Sequence, residues 1–319
     1  MTSSDGESSM ERGGRGAGQR GGSGGSGVSG QRGGSTRSGL RGHGSGPGRG
    51  RVAPPKTRGK KRRRTVFING WVPDEHGSWA MGFLPLIAGL VINPRTWLTL
   101  VLALAWTAGF FLFAVAHKWL KFRFKPRYRP ALYTYLALTS IATVILLAAN
   151  PTLLWWAPVF LPLIAVSAHR AWARRERELT SRVVAIVASC LMVPVTASVT
   201  STTPWFTPPL PAHSWLMAGL IALYFITTVP YVKTLIRERK SLGWLVGSVL
   251  VHALALAVVI ILAVSQMVGW AHVVVWFVVL VRAVVMPLAA RRRGKPWRPA
   301  VVGIGEIILT LLVALTLPW

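Results

Sequence analysis

Nine apolar stretches, separated by short polar breaks, constrain the fold of this chain more than any other feature of its sequence. Most of them reach the length of roughly 20 residues that a helix needs to cross about 30 Å of hydrocarbon. The first stretch is short and contains Pro85, which predicts a kink or a re-entrant turn. The stretches are Trp79–Ile92, Thr96–Ala116, Pro130–Ala149, Thr152–Ala168, Arg182–Val199, Ser214–Tyr231, Leu242–Val264, Trp270–Ala290 and Ala300–Leu317. The sequence therefore predicts an all-α polytopic membrane protein with about nine transmembrane helices.

Composition excludes the common soluble classes. Hydrophobic residues make up 51% of the chain and charged residues only 14%, against roughly 25% charged residues in typical globular proteins. The single cysteine, Cys190, excludes an internal disulfide framework and a cysteine-cluster metal site. With 7 His and 9 Asp+Glu, the chain has little material for a conventional hydrolytic active site.

The charge of the polar breaks predicts the orientation in the membrane. Basic residues that follow the N-terminal tail lie in the breaks after the second, fourth, sixth and eighth stretches, with Arg95 and Arg282 as the exceptions. Lys and Arg collect in cytoplasmic loops, so these four breaks are expected in the cytoplasm. We therefore predict a multi-pass protein of the cytoplasmic membrane, with its N-terminus in the cytoplasm and its C-terminus outside.

Residues 1–65 form a basic tail that differs from the helical domain predicted for residues 66–319. The tail consists mostly of Gly, Ser and Arg, which bury too little apolar surface to fold, so we expect it to be disordered. The simplest interpretation is a solvated tail that orients the chain. A second is binding of anionic lipids, at about 1 kcal/mol per cation, by the run Lys60, Lys61, Arg62, Arg63 and Arg64. Arg-Gly-Gly triplets also resemble RNA-binding segments, but nucleic acid is the least favoured partner.

Three titratable residues, Asp74, Glu75 and His76, follow one another at the entrance to the first stretch. Glu75 and His76 are candidate catalytic residues, because a carboxylate beside a histidine can act as an acid/base pair near neutral pH. Asp74 is either a third catalytic candidate or a helix cap that accepts from free backbone N–H groups. The sequence leaves open whether the protein is an enzyme.

Several segments resemble the YwiC-like family of bacterial membrane proteins. They are Asp74–Ala80 with the following Leu84, Pro85 and Gly89, the basic segment Lys121–Pro130, the loop Arg237–Arg239 and the stretch Gly303–Glu306. The similarity covers about residues 70–319 and leaves out the tail. It implies a membrane location and says little about mechanism.

A fainter resemblance, in architecture only, links the chain to UbiA-type intramembrane prenyltransferases. Those enzymes hold magnesium and an isoprenyl diphosphate with Asp-rich motifs in the loops after helices two and six, whereas neither loop contains Asp here. The sequence therefore argues against magnesium-bridged chemistry. Direct binding of an anionic head group remains open, because guanidinium groups match phosphate geometry. The candidates are Arg127, Arg129, Arg237 and Arg239. The alternative is that these loops are basic only to orient the protein.

Two ionisable residues lie inside predicted spans. Arg282 precedes Arg291 by nine positions and Glu306 follows Arg298 by eight, so both lie about 12–13 Å from the cytoplasmic edge. A lone charge at such depth costs roughly 2.5–3.5 kcal/mol or more, which predicts an intramembrane ion pair between Arg282 and Glu306. His252 is expected near the middle of the membrane, hydrogen-bonded to a neighbouring helix.

Three functions fit these patterns. The leading hypothesis is a cytoplasm-facing intramembrane cavity that binds or processes an isoprenoid-like or anionic amphiphile. The second is a secondary transporter that uses the pair of Arg282 and Glu306, and the third is a structural or partner-binding membrane subunit. No haem, zinc or nucleotide motif is present and no metal site is expected, so the cofactor is unknown. The lipid bilayer is the expected partner, and the oligomeric state stays open.

Overall fold

The computed structural model describes residues 69–319, except residues 74, 75, 176, 177 and 208 and the side chains of residues 76 and 299. The predicted tail and its lysine-arginine run lie outside this part of the chain. Within it, the secondary structure is helical and contains no β-strand, which confirms the all-α prediction. The α-helices are α1 (His76–Ile92), α2 (Trp97–Lys121), α3 (Arg129–Ala149), α4 (Ala157–Trp172), α5 (Leu179–Cys190), α6 (Met192–Ser198), α7 (Ala212–Ile236), α8 (Leu242–Val264), α9 (Trp270–Arg292) and α10 (Pro299–Leu315).

Each of the nine predicted stretches corresponds to helical structure. The fifth stretch contains both α5 and α6, which are separated only at Leu191. When α5 and α6 are counted as one helix, seven of the described helices are long and apolar enough to cross a membrane. Helices α1 and α10 have 17 residues each, near the lower limit of about 17 for a span. Pro85 lies inside α1 without ending it. The chain is therefore a multi-pass helical membrane protein.

Local sequence explains where several helices begin. The side chain of Asn150 accepts a hydrogen bond from the backbone N–H of Thr152, 3.1 Å away, at the start of a 3-10 turn (Pro151–Trp156) that leads into α4. Ser241 accepts in the same way from the backbone N–H of Trp244 at the start of α8. These side chains satisfy N–H groups that a helix leaves without intrahelical partners.

Helix α1 lies at the centre of the bundle. It contacts α5, α6, α7 and α10 and also approaches α2, so it contributes to both large apolar cores. The closest approach is at Gly89, where an added Cβ would overlap the side chain of Thr196 on α6. Asn93 Nδ2 donates to Thr196 Oγ1 at 3.0 Å one turn further along. The absence of a side chain at Gly89 thus permits the contact between α1 and α6.

The outward faces of the helices are apolar. Leu254 on α8 is 67% exposed and Leu315 on α10 is 74% exposed, and many other Leu, Ile and Val side chains are similarly uncovered. An apolar surface of this extent is unfavourable in water but suits hydrocarbon, where helices satisfy their own backbone hydrogen bonds. The surface therefore fits a lipid bilayer environment.

Candidate functional site

Two charged side chains lie in the interior of the group formed by α7 to α10. Nη1 of Arg282, on α9, donates to the carboxylate Oε1 of Glu306, on α10. The side chain of Arg282 is 8% exposed and that of Glu306 is 21% exposed. The short loop 293–298 makes α9 and α10 sequential neighbours, and counted from Arg291 and Arg298 the two charges lie about 13 Å and about 12 Å along their helices. The structure thus brings these two residues together.

A tyrosine from α7 supports the guanidinium. Cζ of Arg282 lies 3.9 Å from the centroid of the Tyr231 ring, which is fully buried. A desolvated cation–π contact of this kind contributes about 2 kcal/mol. The Tyr231 hydroxyl donates to Sδ of Met286 at 2.9 Å, a weak acceptor. Pro230 directly precedes this tyrosine and lacks a backbone N–H, which weakens α7 at the level of the pair.

A second tyrosine on the same face of α7 extends the polar contacts toward the middle of the bundle. The Tyr224 hydroxyl lies 3.2 Å from Oγ1 of Thr310 on α10. Thr310 Oγ1 donates its own hydrogen to the backbone carbonyl of Glu306 at 2.7 Å, so Tyr224 donates to Thr310. These hydroxyl groups connect α7 to the helix that carries the carboxylate.

His252 approaches Tyr231 from α8. Its ring centroid lies 6.3 Å from that of Tyr231, and the ring is fully buried. Nδ1 of His252 lies 2.7 Å from the backbone carbonyl of Ser248. Since a carbonyl only accepts hydrogen bonds, Nδ1 carries a hydrogen, and Nε2 has a lone pair whenever the ring is neutral.

Several atoms of this group have no hydrogen-bond partner among the described residues. They are Nε and Nη2 of Arg282, Nε2 of His252 and Oγ of Ser248. A buried donor or acceptor left unsatisfied costs about 1–3 kcal/mol, and such groups usually bind ordered water or a ligand. We define the buried polar cluster as Tyr224, Tyr231, Ser248, His252, Arg282, Glu306 and Thr310. It contains opposite charges, a proton acceptor and unused donors, so it is equipped to bind an ion and to exchange a proton.

The catalytic candidates at the start of α1 lie outside the described residues. This applies to Asp74 and Glu75, and for His76 the backbone begins α1 but the side chain is not described. Their proposed acid/base roles therefore stay predictions.

The α2–α3 loop holds its basic residues against aromatic rings. Nη2 of Arg127 donates to the Tyr128 hydroxyl at 2.6 Å, and its guanidinium also faces the ring of Phe122. Arg123 Cζ lies 4.1 Å from the ring centroid of Trp172, on α4. Arg129 is exposed at the first position of α3. This loop is anchored to α2, α3 and α4.

The α7–α8 loop is anchored elsewhere. Arg237 and Arg239 are exposed, and the loop is held by Nη2 of Arg291, on α9, which donates to the carbonyl of Ser241 at 2.6 Å. Lys233 Nζ, at the end of α7, lies 3.6 Å from the ring of Trp244. The described contacts do not join the four candidate arginines of the two loops into one head-group site.

Two shallow surface pockets lie away from both loops. The larger, of about 360 Å³, is lined by residues of α1 and α2 near Arg95. The other lies beside Asn150 and Ser201, where α3 and α6 end. Both are at the end of the bundle opposite to the basic loops. No group of three or more His, Cys, Asp or Glu that could hold a metal ion occurs in the described part of the chain.

Sequence reasoning identified the charged pair and placed His252 near the middle of the membrane, but it missed the two tyrosines and Ser248. The expected hydrogen bond from His252 to a neighbouring helix is wrong, because its Nδ1 contacts the carbonyl of Ser248 in the same helix. The signal was present, because Tyr224 and Tyr231 are seven positions apart and Ser248 and His252 are four apart. Residues at these spacings share one face of a helix. Hydroxyl and aromatic residues are common in membrane helices, however, so spacing alone does not reveal which of them meet a charge.

The N-terminal half of the described chain resembles a known protein family. Residues 72–197, which contain most of α1 to α6, match the family model described as YwiC-like protein. The protein of Bacillus subtilis strain 168 called uncharacterized protein YwiC is 28% identical over 172 residues, covering 53% of this chain and 69% of that protein. An uncharacterized protein of Haemophilus influenzae is 26% identical over 195 residues, covering 60% of this chain and 77% of its own length. No solved structure matches.

Neither the matching family model nor these relatives are described as prenyltransferases, so the resemblance to UbiA-type enzymes stays a prediction. The predicted similarity to the YwiC-like family is confirmed by the model match over residues 72–197 and by the relative that carries the family's name. Over residues 72–197, this multi-pass membrane protein is therefore similar to the YwiC-like family.

Proposed function

We propose that this protein is an ion-coupled secondary transporter whose coupling centre is the buried polar cluster. The observation that carries the proposal is the ion pair of Arg282 and Glu306, which leaves Nε and Nη2 of the same guanidinium buried without hydrogen-bond partners among the described residues. Ionisable residues inside membrane spans mark ion or substrate pathways because their burial is costly.

A purely structural role explains the cluster less well. A buried ion pair is often no more stabilising than apolar residues of similar volume, so helix packing alone does not require one. A pair that only locks α9 to α10 would also be expected to satisfy its donors, whereas two nitrogens of Arg282 stay unused. Unsatisfied donors favour a site that another species occupies during part of a working cycle.

The helices around the cluster contain points at which they can bend. Pro230 lies next to Tyr231 in α7, and Pro287 lies five residues after Arg282 in α9. Each proline removes a backbone hydrogen bond of its helix, which is a common cause of kinks. Bending at these positions would move the aromatic ring and the guanidinium relative to the carboxylate of Glu306.

The test uses the full chain reconstituted in liposomes that contain a pH-sensitive dye. A pH gradient is imposed, and the low-molecular-weight fraction of a bacterial extract supplies a mixture of substrates. We expect the wild-type protein to speed acidification of the lumen and Glu306→Gln to remove that effect. Equal proton flux in both proteins would refute the proposal.

Chemical labelling gives a second readout that needs no substrate. Dicyclohexylcarbodiimide enters membranes and modifies protonated carboxyl groups, so a carboxyl group that exchanges protons should be labelled more at low pH. We expect mass spectrometry to find the adduct on Glu306, with Arg282→Gln increasing its yield because the ionic partner is gone. Absence of the adduct at every pH would indicate a permanently closed structural pair.

A second candidate function, binding of an anionic amphiphile, is supported by the α2–α3 loop. Lys121, Lys125 and Arg127 all approach the face of Phe122, so the loop offers several cations beside an aromatic surface. Thermal stability of the purified protein with isoprenyl diphosphates, with and without magnesium, tests this function. Saturation at a hundredfold excess over the dissociation constant would stabilise the fold by about 2.7 kcal/mol. A shift that Arg127→Gln does not reduce would exclude this loop as the site.

A further inference from the structure

The two unused nitrogens of Arg282 belong to one edge of its guanidinium. Glu306 is bound by Nη1, on the side of the group nearer to Cδ, whereas the N–H bonds of Nε and Nη2 run side by side along the opposite edge. Two parallel N–H donors on a planar cation match the two oxygens of a carboxylate. The free edge therefore has the shape of a carboxylate site.

Charge balance restricts the ligand further. Within the cluster the side chains that carry full charges are Arg282 and Glu306, so the occupied pair is neutral. A carboxylate placed on the free edge would add one negative charge to a desolvated site. If Glu306 takes up one proton from water, its carboxylate becomes a neutral acid and the ionic contact to Nη1 is released. The net charge of the site then returns to zero, and a dianion would leave it negative.

We infer that the free edge of Arg282 binds a small monocarboxylate, and that each anion binds together with one proton that Glu306 takes up. The inference rests on the proposed function and names its substrate class and coupling ion. The anion and the proton cross together without net charge, which avoids the cost of an unbalanced charge in the membrane.

Among the groups around the pair, Glu306 is the acceptor whose charge suits the proton that binds with the anion. Around the pair, helix α7 contributes the hydroxyl of Tyr224 and the ring of Tyr231, α9 contributes the cation Arg282, and α8 places His252 against Tyr231. Helix α1, which also packs against α10, has no titratable side chain from residue 77 to its end. A proton on His252 would add a second positive charge beside Arg282, whereas a proton on Glu306 removes a negative charge next to the incoming anion.

The site is closed in this structure. Arg282 is 8% exposed, and the two surface pockets lie at the other end of the bundle. Entry of an anion therefore requires movement of a neighbouring helix. Helix α10 is suited to this because it is short, its sequence includes Gly303 and Gly305, and most of its apolar residues face outward.

The experiment is isothermal titration calorimetry on the detergent-purified full chain with sodium acetate, L-lactate and benzoate, with sodium chloride as the control anion. Titrations in two buffers with different ionisation enthalpies count the protons taken up. We expect at least one carboxylate to bind with uptake of one proton, and its affinity to fall about tenfold per pH unit at alkaline pH. Chloride should bind at least tenfold more weakly, because it cannot bridge two parallel donors.

Two variants separate the roles of the paired residues. Glu306→Gln should bind the same carboxylate without proton uptake and with an affinity that no longer depends on pH. Arg282→Lys keeps the positive charge but lacks the two-donor edge, and should weaken binding by at least tenfold. Thermal melting of each variant shows that it is folded, and Glu306→Gln keeps the test decisive if the lysine variant is not.

Three results would overturn the inference: no carboxylate bound at about pH 6, chloride bound as tightly as the carboxylates, or proton uptake retained by Glu306→Gln. These results are distinct from failure of the proposed function. Labelling of Glu306 and proton flux without carboxylate binding would refute only the substrate class. Proton-linked carboxylate binding without any flux in liposomes would instead refute transport.

Discussion

The buried pair predicts unequal costs for removing its two members. In Glu306→Leu, the guanidinium of Arg282 loses the carboxylate that it contacts among the described residues and, like arginine side chains in general, stays charged. In Arg282→Leu, the carboxyl group of Glu306 can become neutral by binding a proton. We therefore expect Glu306→Leu to destabilise the protein more than Arg282→Leu.

The exposed fractions of the two side chains give the magnitudes. Arg282 is 8% exposed. Removing one partner of a buried ion pair typically lowers the stability by about 3–5 kcal/mol, and we expect a cost of this size when Arg282 is left without Glu306. The Tyr231 ring contacts Arg282 at 3.9 Å with or without Glu306, so it does not change this difference, and Glu306→Leu should cost about 3–5 kcal/mol. Glu306 is 21% exposed, and a protonated carboxyl group with one unsatisfied hydrogen bond should cost only about 1–2 kcal/mol.

The double variant completes a thermodynamic cycle. Replacing both residues by leucine removes both charges, and we expect a stability within about 1 kcal/mol of the wild-type protein, well short of the sum of the single losses. The free energy of unfolding is measured in mixed detergent micelles for the wild-type protein, the two single variants and the double variant. Equal losses in the two single variants, or a double variant whose loss equals their sum, would refute the buried-pair reasoning.

Two further predictions concern packing away from the pair. Gly89→Ala should lower the stability of the protein by about 1–3 kcal/mol, because its Cβ overlaps the buried, β-branched Thr196. Gly303→Ala is the control: no atom lies within 4 Å of the new Cβ, so stability should change by less than about 0.5 kcal/mol. Equal melting temperatures of the two variants would contradict this. His272→Ala should lower the stability by about 3 kcal/mol, because it leaves a cavity and removes the acceptor, 3.0 Å away, of the Nε1–H group of the fully buried Trp276. His272→Gln should recover part of this loss by supplying an acceptor oxygen. Identical melting temperatures of the two histidine variants would refute the assigned hydrogen bond.

Sequence alone determined the helices and one contact of the cluster. Continuous apolar stretches can be read as spans because a helix rises by a fixed 1.5 Å per residue and the bilayer has a fixed thickness. The same rise places Arg282 and Glu306 at equal depth, and the short loop between α9 and α10 makes those helices sequential neighbours. Depth and adjacency together were sufficient to pair two opposite charges.

Tertiary structure decided everything that depends on how helices are rotated and arranged. Depth places His252 and Tyr231 within the membrane but does not say which way their side chains point. Only the packing of α7, α8 and α9 brings the Tyr231 ring beside Arg282 and the His252 ring beside Tyr231. It also anchors the loops of Arg127 and Arg237 to different helices, although both loops are basic. Sequence specifies position along each helix through the constant rise, whereas neighbours are chosen by side-chain packing between segments distant in the chain.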